Sequence, residues 1–233
     1  MKLKFYQIYF LSEQLKQLYD FATPYRNECL TDFFENEVIA REVPRCDSDY
    51  IGIASWRLRE KRQSGFCPII LKFKNGVDDL TEEKILKQDA DIINLRPFLP
   101  THQMLANAAA WHGGEKHNFA WDNAIADLRK FIHIPKEVKT PIYENHFIAR
   151  KEIYHEYISR ALHPVMEYMR GRDCYYADSG YAEKKARDKQ NGVEAVERYR
   201  KQTGRKDWPI APFILERLFS IFINNKDYKI INV

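Results

Sequence analysis

The chain has 233 residues, 45% of them apolar and 14% aromatic, which excludes a disordered protein and is ample for a folded core. Its 37 basic and 33 acidic residues leave a net charge of 37 − 33 = +4. That charge is too small to indicate a nucleic-acid-binding protein by itself, although it does not oppose an anionic ligand. No apolar stretch approaches the roughly 20 residues of a membrane span, and no small-residue cleavage site follows the start, so neither a transmembrane segment nor a signal peptide is predicted.

The cysteines indicate a reducing compartment. They lie far apart, with no CxxC pair and no zinc-finger spacing: Cys29, Cys46, Cys67 and Cys174. This pattern is typical of reduced thiols in an intracellular protein. We therefore expect a cytoplasmic location, and a peripheral position at the inner membrane stays open.

The first half of the chain alternates predicted strands and helices. A strand over residues 3–11 is followed by a short helix that Ser12 caps, and residues 33–43 form a second amphipathic helix. The clearest strand is 48–56, a continuous apolar run between turn residues and the charged sequence RLREKRQ. Continuous apolar character predicts burial on both faces, as in a mostly parallel sheet.

The middle of the chain continues this alternation. Residues 67–76 are predicted as a strand or extended arm, and 81–88 as a helix capped by Thr81. A strand then begins at Asp91, and a helix runs from Thr101 to about Trp111.

The last part of the chain contains the longest predicted helix. An amphipathic helix over 118–134 precedes a short strand, NHFIA, which runs into a helix that Pro164 should kink or divide. Residues 172–208 are polar and charge-dense and are predicted as a helical insertion, before an apolar helix over 208–225 and a final strand, DYKIINV. The whole chain is predicted as a single α/β domain over 1–233, with a mostly parallel central sheet flanked by helices. In such sheets ligands bind beyond the carboxyl ends of the strands.

One group of candidate residues follows the strand 48–56. Ser55, Trp56 and Arg57 lie beyond its carboxyl end, where an arginine beside an aromatic ring can hold a phosphate or stack a base or sugar. A solvated loop is the alternative interpretation, and the pattern alone does not decide between the two. Arg96 follows the next predicted strand on the same side.

The pair Asp89-Ala90-Asp91 has the spacing of a divalent-cation site. However, these acids precede a strand, whereas metal-binding acids of a parallel sheet normally follow one. A polar turn is therefore the favoured interpretation of Asp89 and Asp91, and a metal site elsewhere remains unknown.

Three further residues are candidates for catalysis. Asn145 and His146 stand at the start of the predicted strand NHFIA, with Glu144 beside them, and could orient hydroxyl groups or transfer a proton. Glu216 interrupts the apolar helix APFILERLFSIFI, either on its polar stripe or held inside for a function. The motifs GxGxxG, GxxxxGK[ST], GxSxG and HExxH are absent, which counts against a dinucleotide enzyme, a P-loop ATPase, a serine hydrolase and a zinc protease.

Several segments together resemble, in their order, a family of capsular-polysaccharide glycosyltransferase-like proteins. The resemblance covers most of residues 1–170 and 209–225 and rests on these segments: SDYIGIASWRLRE, DADIINLRP, HQMLANAAAWHG to AIADLRKF, YENHFIARKEIYHEYISRALHPVMEYM, and IAPFILERLFSIFI. It implies a GT-A-like fold and transfer of a sugar from a nucleotide-diphosphosugar donor to a glycan or polysaccharide acceptor.

The chain departs from that family at the strand end. Where the family commonly has His-Tyr-Arg-Arg, this chain has Ser55-Trp56-Arg57-Leu58, so that only Arg57 carries over. A divalent metal, Mn²⁺ or Mg²⁺, stays open as a cofactor, and a basic residue neutralising the diphosphate is the alternative.

A second function is also consistent with the sequence. The chain would be a catalytically inactive GT-A-like binding or assembly protein, whose basic segment 172–208 recognises a glycan, a nucleic acid or a protein partner. The absence of an acid pair after the strand 48–56 favours this second function.

Overall fold

The computed structural model describes residues 1–27, 31–63, 78, 80–96, 113–115, 118–142, 144–177, 183 and 192–233. In these residues the strands are β1 (Leu3–Tyr9), β2 (Thr23–Arg26), β3 (Tyr50–Ser55), β4 (Ile92–Asn94), β5 (Phe147–Arg150), β6 (Tyr176–Ala177), β7 (Trp208–Pro209) and β8 (Ile230–Asn232). Six of them form one sheet in the order β2-β1-β3-β5-β4-β8, and β6 pairs with β7 separately.

The central sheet is mixed, with one reversed strand. β1 pairs in parallel with β2 and β3, and β4 pairs in parallel with β8. β5 is antiparallel to both of its neighbours, β3 and β4. The predicted α/β class with a mostly parallel sheet is confirmed, and the reversal of β5 was not predicted.

Both faces of the sheet are buried, as the apolar run over 48–56 predicts. Ile51 and Ile53 belong to one core cluster, whereas Tyr50 and Ala54 on the opposite face belong to another. β5 divides in the same way, with Phe147 on the first face. Burial of each isoleucine or phenylalanine side chain contributes about 1.5–3 kcal/mol to stability. The sheet is therefore a rigid support for the residues at its ends.

The helices cover these two faces. They are α1 (Glu35–Glu42), α2 (Leu58–Gln63), α3 (Glu82–Leu86), α4 (Ala120–Leu128), α5 (Lys151–Tyr157), α6 (His163–Met169), α7 (Gly192–Thr203) and α8 (Ala211–Ile223). Short 3₁₀ turns occupy Ser12–Gln17, Val43–Arg45 and Asp173–Tyr175. Thr81 caps α3 as predicted, because its Oγ1 accepts a hydrogen bond from the Lys84 backbone N–H at 3.2 Å.

Pro164 divides the long helix in a specific way. A π-helical segment, Ile158–Leu162, lies between α5 and α6, immediately before the turn that contains Pro164. Proline has no N–H and its ring crowds the carbonyl four residues earlier, so a widened turn accommodates it without ending the helix.

Several local predictions need correction. β2 was not predicted, and neither was the helix α2, which Leu58–Gln63 of the charged sequence RLREKRQ form. The predicted helices over 12–21 and 118–134 are a 3₁₀ turn and the shorter α4. The segments 67–76 and 101–111 lie outside the described residues.

The insertion 172–208 is helical only in part. α7 lies inside it, but β6 and β7 pair at its two ends, which was not predicted. Tyr199 and Trp208 are buried against each other, with Phe34 packed against them. This aromatic cluster fastens the insertion to the segment before α1.

An ion pair inside the protein attaches α2 to the ends of β4 and β8. The guanidinium of Arg62 donates to Asp78 at 3.0 Å and to the carbonyl oxygens of Leu95 and Val233, both at 2.6 Å. The side chains of Arg62 and Asp78 are 3% and 1% exposed. A buried charge is tolerated only when it is paired and hydrogen-bonded, as here.

We therefore expect Arg62→Met to lower the free energy of unfolding by about 3–5 kcal/mol, because Asp78 is then buried without its partner. Urea denaturation measures this. The control is Lys87→Met, which removes an exposed pair with Glu83 and should cost less than about 1 kcal/mol. Equal losses in the two variants would contradict this account of how α2 is held.

Candidate functional site

The residues at the carboxyl end of the sheet come from three adjacent strands. β3 ends at Ser55, and Arg96 lies two residues after β4. Because β5 is antiparallel, the residues before it lie at this same end of the sheet. In the ladders, Phe147 lies opposite both Ile53 and Asn94, so residues 144–146 lie beyond the ends of β3 and β4.

Glu144 is the centre of this group. One of its carboxylate oxygens contacts both Lys61 Nζ and Arg96 Nη1, and it lies 3.6 Å from His146 Nδ1. Burial alone would raise the pKa of Glu144, but Lys61, His146 and Arg96 together lower it to about 2. The carboxylate is therefore ionised at any physiological pH and holds two cations at the end of the sheet.

The backbone that carries Glu144 has an unusual conformation. Glu144 and Asn145 both have positive φ, 57° and 58°. Left-handed backbone at non-glycine residues costs on the order of 1–3 kcal/mol each and concentrates at functional sites. Asn145 is held there by a hydrogen bond from its Nδ2 to Asn36 Oδ1 at 3.3 Å, whereas its buried Oδ1 has no partner in the part of the chain that the structure describes.

His146 links this turn to the end of β3. Its Nε2 lies 3.1 Å from Ser55 Oγ, and its side chain is completely buried. Burial, and next the nearby charge of Lys61, lower the pKa of His146 to about 3 despite the opposing effect of Glu144. The imidazole is therefore neutral, with one N–H and one nitrogen lone pair. Nδ1 makes no hydrogen bond among the described residues.

Trp56 and Arg57 lie at the outer side of the site. Arg57 pairs with Glu60 at 2.9 Å, and its guanidinium carbon lies 5.9 Å from the centroid of the Trp56 ring. The Arg57 side chain is 41% exposed, so it remains accessible to a ligand. The pairing with Glu60 partly neutralises the charge of Arg57. Arg57 is therefore a weaker candidate for binding an anion than its position at the strand end predicts.

Glu216 is a largely buried carboxyl group near the same charges. It lies on α8 with its side chain 19% exposed, and Arg217 Nη1 is 3.9 Å from its carboxylate. Burial raises the pKa of Glu216 to about 7, Arg217 opposes this rise, and the carboxylates of Glu144 and Glu35 add to it. Glu216 therefore changes its protonation state near neutral pH.

Lys61 is the main site residue that the sequence interpretation missed. It lies on α2, and its backbone N–H donates to the carbonyl of Arg57, so the two residues are one helical turn apart. That spacing of four in the sequence RLREKRQ was the available signal, but it has meaning only if the segment is helical. The sequence places Glu144 directly before Asn145 but predicts no role for it in the site.

Asp89 and Asp91 lie at the opposite end of the sheet. Asp91 accepts from Arg150 Nε at 3.0 Å and from the Lys229 backbone N–H at 2.9 Å, and Asp89 accepts from Lys229 Nζ at 2.9 Å. These ion pairs and hydrogen bonds connect the ends of β4, β5 and β8. The favoured interpretation of Asp89 and Asp91 from the sequence was a polar turn. The two acids are remote from Ser55, Arg96 and His146.

A divalent cation does not fit the described residues at the carboxyl end. Such an ion takes several anionic oxygen ligands, whereas Glu144 is already held by Lys61 and Arg96 and Glu216 is protonated in part. Within the described ranges, no three His, Cys, Asp or Glu side chains are grouped as metal ligands. The cationic side chains are the groups that can face an anion here.

Comparison with family models, with curated proteins and with solved structures gives no match. The resemblance described above therefore rests on the sequence segments alone. In the described part of the chain, no helix has the length and apolar character needed to cross a membrane.

The pKa of Glu216 predicts how stability depends on pH. Because its pKa in the folded protein, about 7, lies above the ordinary 4.5, the folded state binds the proton more tightly. This contribution to stability is complete below about pH 4.5 and is lost as the pH rises through 7. Glu216→Gln resembles the protonated form and does not titrate. The difference in unfolding free energy between Glu216→Gln and wild type should therefore be roughly 1–3 kcal/mol more favourable to the variant at pH 8 than at pH 5.

Urea denaturation of both proteins at the two pH values measures this gain. The control Glu83→Gln changes an exposed carboxylate and should show no such dependence on pH. A gain for Glu216→Gln that is equal at pH 5 and pH 8 would contradict the assignment.

Proposed function

We propose that the protein transfers a sugar from a nucleotide-diphosphosugar donor to a glycan or polysaccharide acceptor, on a GT-A-like fold. The observation that carries the proposal is the pair of cations, Lys61 and Arg96, held by one partly buried carboxylate, Glu144, beyond the ends of β3 and β4. This is the end of the sheet at which ligands of open α/β folds bind.

The chemistry of such a donor matches these cations. When the bond between the sugar and the diphosphate breaks, negative charge develops on the leaving diphosphate. Fixed cations at that position stabilise the developing charge without any reorganisation, as a metal ion does in other enzymes. Lys61 and Arg96 are already positioned by Glu144, so little side-chain entropy is lost when the diphosphate binds.

The remaining residues are assigned by position. Trp56 offers an aromatic face, with Arg57 beside it, for the base or the sugar. Asn145 has a buried oxygen available to accept a hydrogen bond from a hydroxyl group. Ser55 and His146 form a polar pair next to the cations, and Glu216 is a further candidate for proton transfer because its pKa lies near 7.

The resemblance to capsular-polysaccharide glycosyltransferases adds the class of acceptor to this proposal. The mixed α/β sheet agrees with the expected fold at the level of class. The insertion 172–208 is not needed for the proposed chemistry, and its aromatic cluster serves to attach it to the rest of the domain.

Binding of donors tests the proposal. A panel of UDP- and GDP-sugars should include at least one that raises the melting temperature of the wild-type protein equally with Mn²⁺ and with EDTA. Arg96→Ala should weaken binding of that donor about 10- to 100-fold, because a charge-assisted hydrogen bond contributes about 1.5–3 kcal/mol. Isothermal titration calorimetry measures the affinity.

The matched control is Arg160→Ala, which removes an arginine paired with Glu156 on an exposed helical surface away from the site. It should bind the donor as wild type does. No stabilisation by any donor, or equal affinity of Arg96→Ala and wild type, would refute the proposal. Binding without any sugar transfer or donor hydrolysis would instead favour the catalytically inactive binding protein.

A further inference from the structure

Ser55, His146 and Glu144 are neighbouring polar residues at the end of the sheet, with His146 between the other two. Ser55 Oγ is 3.1 Å from His146 Nε2, and the other ring nitrogen, Nδ1, is 3.6 Å from the carboxylate of Glu144. We infer that these three residues form a proton relay that removes the proton from a hydroxyl group bound at Ser55. The inference rests on the proposed function, and it assigns the base of that reaction.

The position of the imidazole proton follows from the contacts. A neutral histidine carries one N–H. Nδ1 makes no hydrogen bond among the described residues, but it lies 3.6 Å from the ionised carboxylate of Glu144, and that negative charge favours an N–H on this side of the ring. The proton therefore lies on Nδ1, and Nε2 accepts the O–H of Ser55. This is the tautomer in which a histidine acts as a base towards a serine.

This orientation determines which group can bind at Ser55. With its proton directed to His146, the Ser55 oxygen presents only lone pairs to the site. Its partner must then be a hydrogen-bond donor, such as the hydroxyl group of an acceptor sugar or a water molecule. An ionised phosphate oxygen has no proton to donate, so the diphosphate belongs beside Lys61 and Arg96.

The relay moves two protons while the sugar is transferred. The proton of the bound hydroxyl moves to Ser55 Oγ as the proton of Ser55 moves to His146 Nε2. The hydroxyl oxygen forms a bond to the anomeric carbon of the donor, and the bond from that carbon to the diphosphate oxygen breaks. Its electron pair leaves with the diphosphate, and the imidazolium is stabilised by Glu144. Ser55 regains a proton and is not consumed.

The surrounding charges make the relay dependent on the donor. Lys61 and Arg57 face His146 from α2 and the turn before it, and Arg96 faces it from the end of β4. These cations disfavour the imidazolium, and Glu144 on the histidine's own turn favours it. Burial is the largest cause of the lowered pKa of His146, and it persists when the donor binds. A bound diphosphate neutralises the cations, which are the next cause, so His146 becomes a stronger base when the donor is in place. The acceptor is thereby activated only in the presence of its reaction partner.

Nuclear magnetic resonance of the wild-type protein labelled with ¹⁵N-histidine tests the relay. In the free protein, His146 should show the neutral form protonated on Nδ1 over the whole range from pH 5 to pH 8. Its signals are assigned as those that shift in Ser55→Ala. On saturation with inorganic pyrophosphate, whose binding is followed separately by calorimetry, His146 should titrate at a higher pH than in the free protein.

Enzyme kinetics with the intact chain give a second measurement. With the donor found in the panel, Ser55→Ala should lower kcat for sugar transfer or donor hydrolysis about 10²- to 10⁴-fold, the usual contribution of a general base. The KM for the donor and the affinity for pyrophosphate should stay within about twofold of wild type, because the diphosphate does not contact Ser55. The control Ser159→Ala removes an exposed hydroxyl whose hydrogen bond, within the described residues, goes to the Glu156 carbonyl one turn earlier, and it should leave kcat unchanged.

Each outcome has a definite meaning. A proton on Nε2, or a His146 titration that bound pyrophosphate does not move upward, overturns the relay while the proposed function stands. An unchanged kcat in Ser55→Ala overturns it as well. If neither pyrophosphate nor any donor binds, the proposed function fails and the relay fails with it.

Discussion

The contact of one carboxylate with two cations determines the arrangement at the end of the sheet. Glu144 holds Lys61 and Arg96, which come from different parts of the chain, and it lies against His146. Without it, two positive charges would face each other in a poorly hydrated place, at a cost that burial makes large. The left-handed backbone at Glu144 and Asn145 is the strain that the protein carries to place the carboxylate there.

The topology of the sheet makes this contact possible. Had β5 run parallel to its neighbours, residues 144–146 would lie at the amino ends of β3 and β4, beside Asp89 and Asp91. Because β5 is reversed, its first residues meet the last residues of β3 and β4. The two ends of the sheet therefore differ: one is closed by ion pairs of Asp89 and Asp91, and the other presents cations and a neutral histidine.

Much of this arrangement was predictable from residue patterns. The rule that ligands bind beyond strand ends correctly grouped Ser55 with Arg96, and it separated them from Asp89 and Asp91. Lys61 was missed because α2 has only six residues and little apolar periodicity, so its helical state depends on tertiary contacts such as those of Arg62. The direction of β5 could not be read from its apolar run, since a strand buried on both faces looks the same in either direction. Glu216 stood out as a charge in an apolar helix, but its pKa depends first on burial in the folded protein and then on Arg217, Glu144 and Glu35, of which the last two are remote in sequence.

We propose that the diphosphate of a sugar nucleotide binds to Lys61 and Arg96 beyond the ends of β3 and β4. A crystal structure of the wild-type protein with UDP or GDP bound should show phosphate oxygens within hydrogen-bond distance of Lys61 Nζ and the Arg96 guanidinium, with the base near Trp56. Phosphates bound at the opposite end of the sheet beside Asp89 and Asp91, or held through a metal ion on those acids, would refute this proposal.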